Sequence, residues 1–111
     1  MGHSSCGGVR GFYDMTMGNA PELVDGSSFV GRWMEILQPG WDRIKDSCTG
    51  PDCVGALEKE AVKVSLDNLM TFPFVAEAVE REKLTLHGVW NDIGEGDLLW
   101  FDPADGGFKK V

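Results

Sequence analysis

Apolar positions recur at helical spacing through most of the chain and change to strand spacing near its end. Residues 1 to 8 read as a tight Gly-rich loop. Val9, Phe12, Tyr13 and Met17 then mark a helix over 9–17. Gly18 to Gly26 has the composition of a linker. Ser27 or Ser28 can cap a second helix, whose apolar positions are Phe29, Val30, Trp33, Ile36 and Leu37. Pro39-Gly40 is expected to stop it, with one more short turn around Trp41 and Ile44. Ser47 to Val54, with Gly50-Pro51 inside it, reads as a loop.

A long buried helix is predicted over 56–70 from Leu57, Ala61, Val64 and Leu69 with Val62, Leu66 and Met70. Thr71-Phe72-Pro73 breaks it, and Pro73 suits the first turn of the next helix, Phe74 to Glu82. Leu84 to Trp90 and Asp97 to Phe101 read as strands joined by the turn Asn91 to Gly96. Pro103 to Gly107 ends the second strand, and Phe108 to Val111 reads as a short tail. Both strands are apolar on nearly every position, as strands covered on both faces are. A lone hairpin is marginal in water, so the strands require more sheet than the pattern supplies.

At 111 residues the chain is expected to be a single domain, 1–111. The formal charge of −8 and pI of about 4.5 oppose binding to a phosphate backbone, so no nucleic-acid partner is expected. No apolar run long enough for a membrane span and no basic-then-apolar leader is present, which points to the cytoplasm and away from the membrane. Cys6, Cys48 and Cys53 make an odd count. That fits a reducing compartment where thiols bind metal or stay free.

The sharpest chemistry is His3-Ser4-Ser5-Cys6 followed by Gly7-Gly8. Imidazole and thiolate are both good zinc ligands, and a spacing of three lets one turn aim both at a single ion. Gly7 and Gly8 would let the backbone approach the site without a Cβ in the way. Cys48 and Cys53 could add two thiolates to make a closed Cys₃His zinc site. The plainer reading is two free thiols flanking a Gly-Pro turn. His87 could shuttle protons from its strand or be a partly buried structural histidine.

Three ordered blocks carry a family resemblance. Gly2-His3-Ser4-Ser5-Cys6-Gly7-Gly8-Val9 resembles the G-H-S-x-C-G-G-[VI] segment of β-class carbonic anhydrases. Glu58-Lys59-Glu60-Ala61-Val62 through Ser65-Leu66-Asp67-Asn68-Leu69 and Pro73-Phe74-Val75 is similar to the family's helix–loop segment, of the type S-L-x-N-L-x-x-x-P-x-V. Leu84-Thr85-Leu86-His87-Gly88 with Asp92-Ile93 and Gly96-Asp97-Leu98 is similar to its L-x-L-H-G hairpin. The resemblance covers the C-terminal two-thirds of the family's domain.

It implies an α/β, β-carbonic anhydrase-like fold: a truncated parallel sheet flanked by helices, with a C-terminal hairpin. It implies a zinc-dependent lyase interconverting carbon dioxide and bicarbonate, in which the metal lowers the pKa of water. His3 and Cys6 would be metal ligands, with the Gly7 and Gly8 backbone near the site, in a homodimer or larger oligomer. The family's second cysteine ligand and an Asp–Arg pair belong to an upstream C-x-D-x-R segment. No such sequence occurs in these residues, and the strand leading into the G-H-S loop is expected to be missing as well. No catalytic residue is therefore assigned beyond the ligands, and the chain alone is expected to be nearly inactive. Asn91 stands where many members have Tyr, which weakens any bicarbonate contact there. The alternatives are a non-catalytic paralogue serving as an assembly or zinc-binding subunit, and a lyase-fold hydrolase of carbon disulfide or carbonyl sulfide.

Overall fold

The long helix α5 (Asp52–Leu69) forms the spine of the computed structural model, which describes residues 1–25 and 28–111. It begins four residues earlier than the apolar pattern indicates, with Asp52 in its first turn, where a carboxylate meets the positive end of the helix dipole. Cys53, Leu57, Val62 and Val64 are buried along it. Leu69, placed in the buried stripe by its spacing, is exposed instead.

Helix α1 (Gly7–Thr16) packs across α5. A short helix α2 (Pro21–Val24) interrupts the predicted linker. Helix α3 (Phe29–Met34) is capped by Ser28, whose Oγ accepts from the Gly31 amide at 3.1 Å. The competing cap, Ser27, lies outside the described residues. The expected stop at Pro39-Gly40 does not occur. After a 3₁₀ turn (Glu35–Leu37) the chain re-enters a helix, α4 (Gln38–Ile44), with Pro39 in its first turn. There its missing N–H costs nothing, because the first amides of a helix have no partner. Helix α6 (Pro73–Glu80) follows as Pro73 predicts.

The main core gathers Val9, Phe12, Met34, Trp41, Ile44, Cys53 and Leu57 from α1, α3, α4 and α5. Tyr13 meets Trp41 edge-on, with centroids 5.9 Å apart. Phe12, Met34 and Leu57 are the largest side chains fully shut from solvent.

Among the described residues the sheet has four strands in the order β1 (Gly2–His3), β2 (Val89–Asp92), β3 (Asp97–Asp102), β4 (Gly107–Lys110). The β1–β2 pair is parallel and the others are antiparallel. Three sequence expectations change here. The strand predicted over 84–90 is regular only from Val89, because the two residues of β1 are all that it can pair with on that side. The strand leading into the G-H-S loop is present with two residues, Gly2 opposite Trp90 and His3 opposite Asn91. The tail Phe108 to Val111 is the strand β4, whose Phe108 lies opposite Phe101. The missing sheet is thus supplied partly by the tail, and β1 is left at an edge. No described helix is long and apolar enough to cross a membrane.

Candidate metal half-site

Residues 3–6 form a tight turn between the end of β1 and the start of α1. Ser5 makes the turn by taking a left-handed conformation, φ 56°, which a non-glycine residue adopts only when its surroundings fix it. Several bonds supply that constraint. The Ser4 amide donates to the Asn91 carbonyl at 2.8 Å, and Ser4 Oγ accepts from the Ile93 amide at 2.8 Å. Both tie the loop to the end of β2. On the other side the Cys6 amide donates to Glu58 Oε2, at 3.1 Å, across from α5.

The loop brings His3 and Cys6 to one cavity of about 370 Å³, shared with Glu58 and walled by Trp33, Met34 and Val62. His3 Nδ1 lies 2.8 Å from the Ser4 carbonyl oxygen. A carbonyl can only accept, so Nδ1 is the donor, which in the neutral ring leaves the lone pair on Nε2. That is the usual arrangement of a metal-binding histidine, oriented by a hydrogen bond at its other nitrogen. Cys6 is a free, half-buried thiol. Donor type and tautomer therefore fit zinc, but they fill two positions where a tetrahedral site has four. Among the described residues, no group of three or more His, Cys, Asp or Glu side chains is placed to hold a metal ion.

The other candidate residues behave differently. Gly8 packs near the Trp33 ring, whereas a Cβ at Gly7 would meet nothing within 4 Å. The close approach expected of both glycines belongs to Gly8 only. The sharper requirement falls on Gly2, where a Cβ would come within 2.7 Å of Val62 Cγ2. Cys48 and Cys53 are joined as a disulfide, with Cα atoms 5.2 Å apart. This corrects the expectation of free thiols and removes both sulfurs from any Cys₃His zinc site. They pair because the turn at Gly50, φ 56°, folds the loop back over the start of α5. His87 is exposed and does not line the His3–Cys6 cavity. Asn91 contributes backbone to the loop, through its carbonyl and its place opposite His3.

One residue at the site was not anticipated. Glu58 is 4% exposed, lines the cavity, and reaches the Cys6 amide. Its signal in the sequence was a charge four residues before Val62, on the face of α5 that had to be buried.

Comparison with known proteins places this geometry in a family. The family profile described as "Carbonic anhydrase" matches residues 1–98. The chain is 38% identical over 104 residues to Beta carbonic anhydrase 3 of Arabidopsis thaliana, covering 90% of this chain and 39% of that protein. Its structure is similar to that reported as "The structure of the beta-carbonic anhydrase CcaA". That match has a TM-score of 0.86 at 26% identity, over 99% of this chain and 48% of the other. The chain thus spans less than half the length of either relative. It belongs to the carbonic anhydrase family, in its β class.

Proposed function

We propose that these residues carry part of the active site of a zinc-dependent enzyme for the reversible hydration of carbon dioxide to bicarbonate. The observation that supports it most is the pairing of His3, its Nε2 left free, with the free thiol of Cys6 in one cavity. Zinc held there would supply the Lewis acidity that lets water ionise near neutral pH. The chain's own part is to hold two donors in a fixed turn and to present them to a largely apolar cavity. In this reading the remaining ligand and the Asp–Arg pair of the family pattern come from outside these 111 residues.

Zinc content tests the ligand assignment. Joined to a C-x-D-x-R segment from a β-class relative, the chain is expected to hold one zinc per polypeptide by elemental analysis. Cys6→Ser and His3→Ala should each lose it, and retention of full zinc in Cys6→Ser would overturn the assignment.

A second reading, a non-catalytic assembly subunit, has its own support. Among the described residues the outer edge of β1 is unpaired, and Phe29, Val30, Trp33 and Ile36 are large exposed apolar side chains on and just after α3. The two readings separate on whether zinc-loaded protein turns over carbon dioxide. A homodimer or larger oligomer is part of both. A cytoplasmic location is part of both as well, and the Cys48–Cys53 disulfide is the observation that stands against it.

A further inference from the structure

Glu58 is a costly choice for its position. It lies one residue from the fully buried Leu57 and one helical turn before Val62. A leucine or methionine there would pack without the penalty of taking a carboxylate out of water. No ion pair among the described residues reaches it. Its contact is with the backbone of Cys6, 52 residues away in sequence.

The start of α1 shows what that contact replaces. Cys6 is the N-cap of α1 and makes no side-chain capping bond. In a capping box, a Glu or Gln at the third helical position accepts the N-cap amide. Here that position is Val9, which has no acceptor and is committed to the core. Glu58 supplies the missing acceptor from α5 and fixes the peptide of Cys6 between the left-handed Ser5 and the first turn of α1.

We infer that Glu58 is a positioning residue for Cys6, holding the thiol at a fixed place relative to His3 so that the two can share one metal ion. The inference rests on the reading of His3 and Cys6 as metal ligands and adds to it a residue with no donor role of its own. Groups that orient metal ligands typically change affinity by about ten- to a hundred-fold when lost.

The test is a cobalt(II) titration of the full chain with its disulfide intact, followed by the thiolate-to-cobalt charge-transfer absorption. Two ligands suffice for a weak complex at high metal concentration. The native chain should show the band and Cys6→Ser should abolish it. Glu58→Gln keeps an oxygen acceptor at the same reach and should keep the native affinity. Glu58→Leu, which fills the space but accepts no hydrogen bond, should bind cobalt roughly ten-fold or more weakly. Amide exchange provides a metal-free readout, with protection at Cys6 retained in the Gln variant and lost in the Leu variant. A Leu variant with native circular dichroism and native cobalt affinity would overturn the role of Glu58 and leave the ligand assignment standing. A band that survives Cys6→Ser, or is absent from the native chain, would overturn the ligand assignment and this inference with it. If Glu58→Leu does not fold, Glu58→Asp decides, because its carboxylate is one carbon short. Affinity equal to that of the Gln variant would count against the inference.

Discussion

Gly2 on β1 and Val62 on α5 meet so closely that a Cβ at Gly2 would sit 2.7 Å from Val62 Cγ2. Val62 is 5% exposed and presses equally on Gly88, where an added Cβ would also come within 2.7 Å of it. One valine therefore seats α5 against the edge strand and against the residue leading into its partner. Gly2→Ala is expected to destabilise the fold by about 1–3 kcal/mol, the usual range for overpacking. In a double-mutant cycle with Val62→Ala the two losses should be clearly less than additive. Additive losses in urea midpoints would show that the two residues do not share this contact.

The disulfide makes a second prediction. Cys48 and Cys53 are five residues apart, and Cys53 is buried at the base of the loop. Closing so short a loop limits the unfolded chain by about 2 kcal/mol. The Tyr13 hydroxyl also donates to the Gly50 carbonyl, tying the same loop to α1. Reduction, or the paired change Cys48→Ser with Cys53→Ser, should lower the denaturant midpoint accordingly. Identical midpoints with and without a dithiol reductant would mean that the pair is not formed in solution.

A third prediction concerns pH. Lys109 Nζ lies 2.9 Å from Asp105 Oδ2 and is hydrogen-bonded also to Asp102. These bonds hold both carboxyls below the ordinary aspartate value of 3.8, helped by the amides of Ala104 and Gly107. The same bonds raise the lysine above its usual 10.5. A depressed carboxyl contributes stability that is present above its unfolded pKa and lost as pH falls through its folded one. The β3–β4 turn should thus lose support below about pH 4. Lys109→Met should flatten the acid limb of a urea-midpoint profile between pH 6 and 3, while leaving the profile near neutrality almost parallel to native. An unchanged acid limb would contradict the pairing.

The exposed apolar face makes a fourth. Phe29 is 88% and Trp33 69% exposed on α3. Patches of this kind mark interaction surfaces. The chain is expected to self-associate in sedimentation velocity runs at increasing concentration, and Trp33→Ser should weaken the association. Monomeric behaviour in both proteins at high concentration would count against a partner for this face.

The helices were legible because their apolar residues keep a helical period, and the shared cavity of the candidate donors His3 and Cys6 was legible because the two are local in sequence. What escaped depended on contacts between distant segments. The strand β4 is short and carries Lys109 and Lys110, so its pattern resembles a polar tail until Phe108 is seen opposite Phe101. Residues 84–88 look like a strand from composition, but a strand needs a partner, and β1 offers two residues. Pro39 is a breaker by rule, yet it falls in the first turn of α4, where the rule does not apply. Glu58 lies on the helix predicted over 56–70, but nothing local in the sequence joins it to Cys6, 52 residues away.

The most direct test of the central claim is a stopped-flow pH-indicator assay of carbon dioxide hydration on zinc-loaded protein. It would compare the 111-residue chain alone with the same chain joined to a C-x-D-x-R segment of a β-class relative. Two donors give an incomplete coordination sphere, so the chain alone should stay near background. The joined protein should turn over, and His3→Ala or Cys6→Ser should return it to background. Robust turnover by the chain alone that disappears in His3→Ala would show that it completes its site another way. Turnover by the joined protein that survives Cys6→Ser would contradict the ligand assignment itself.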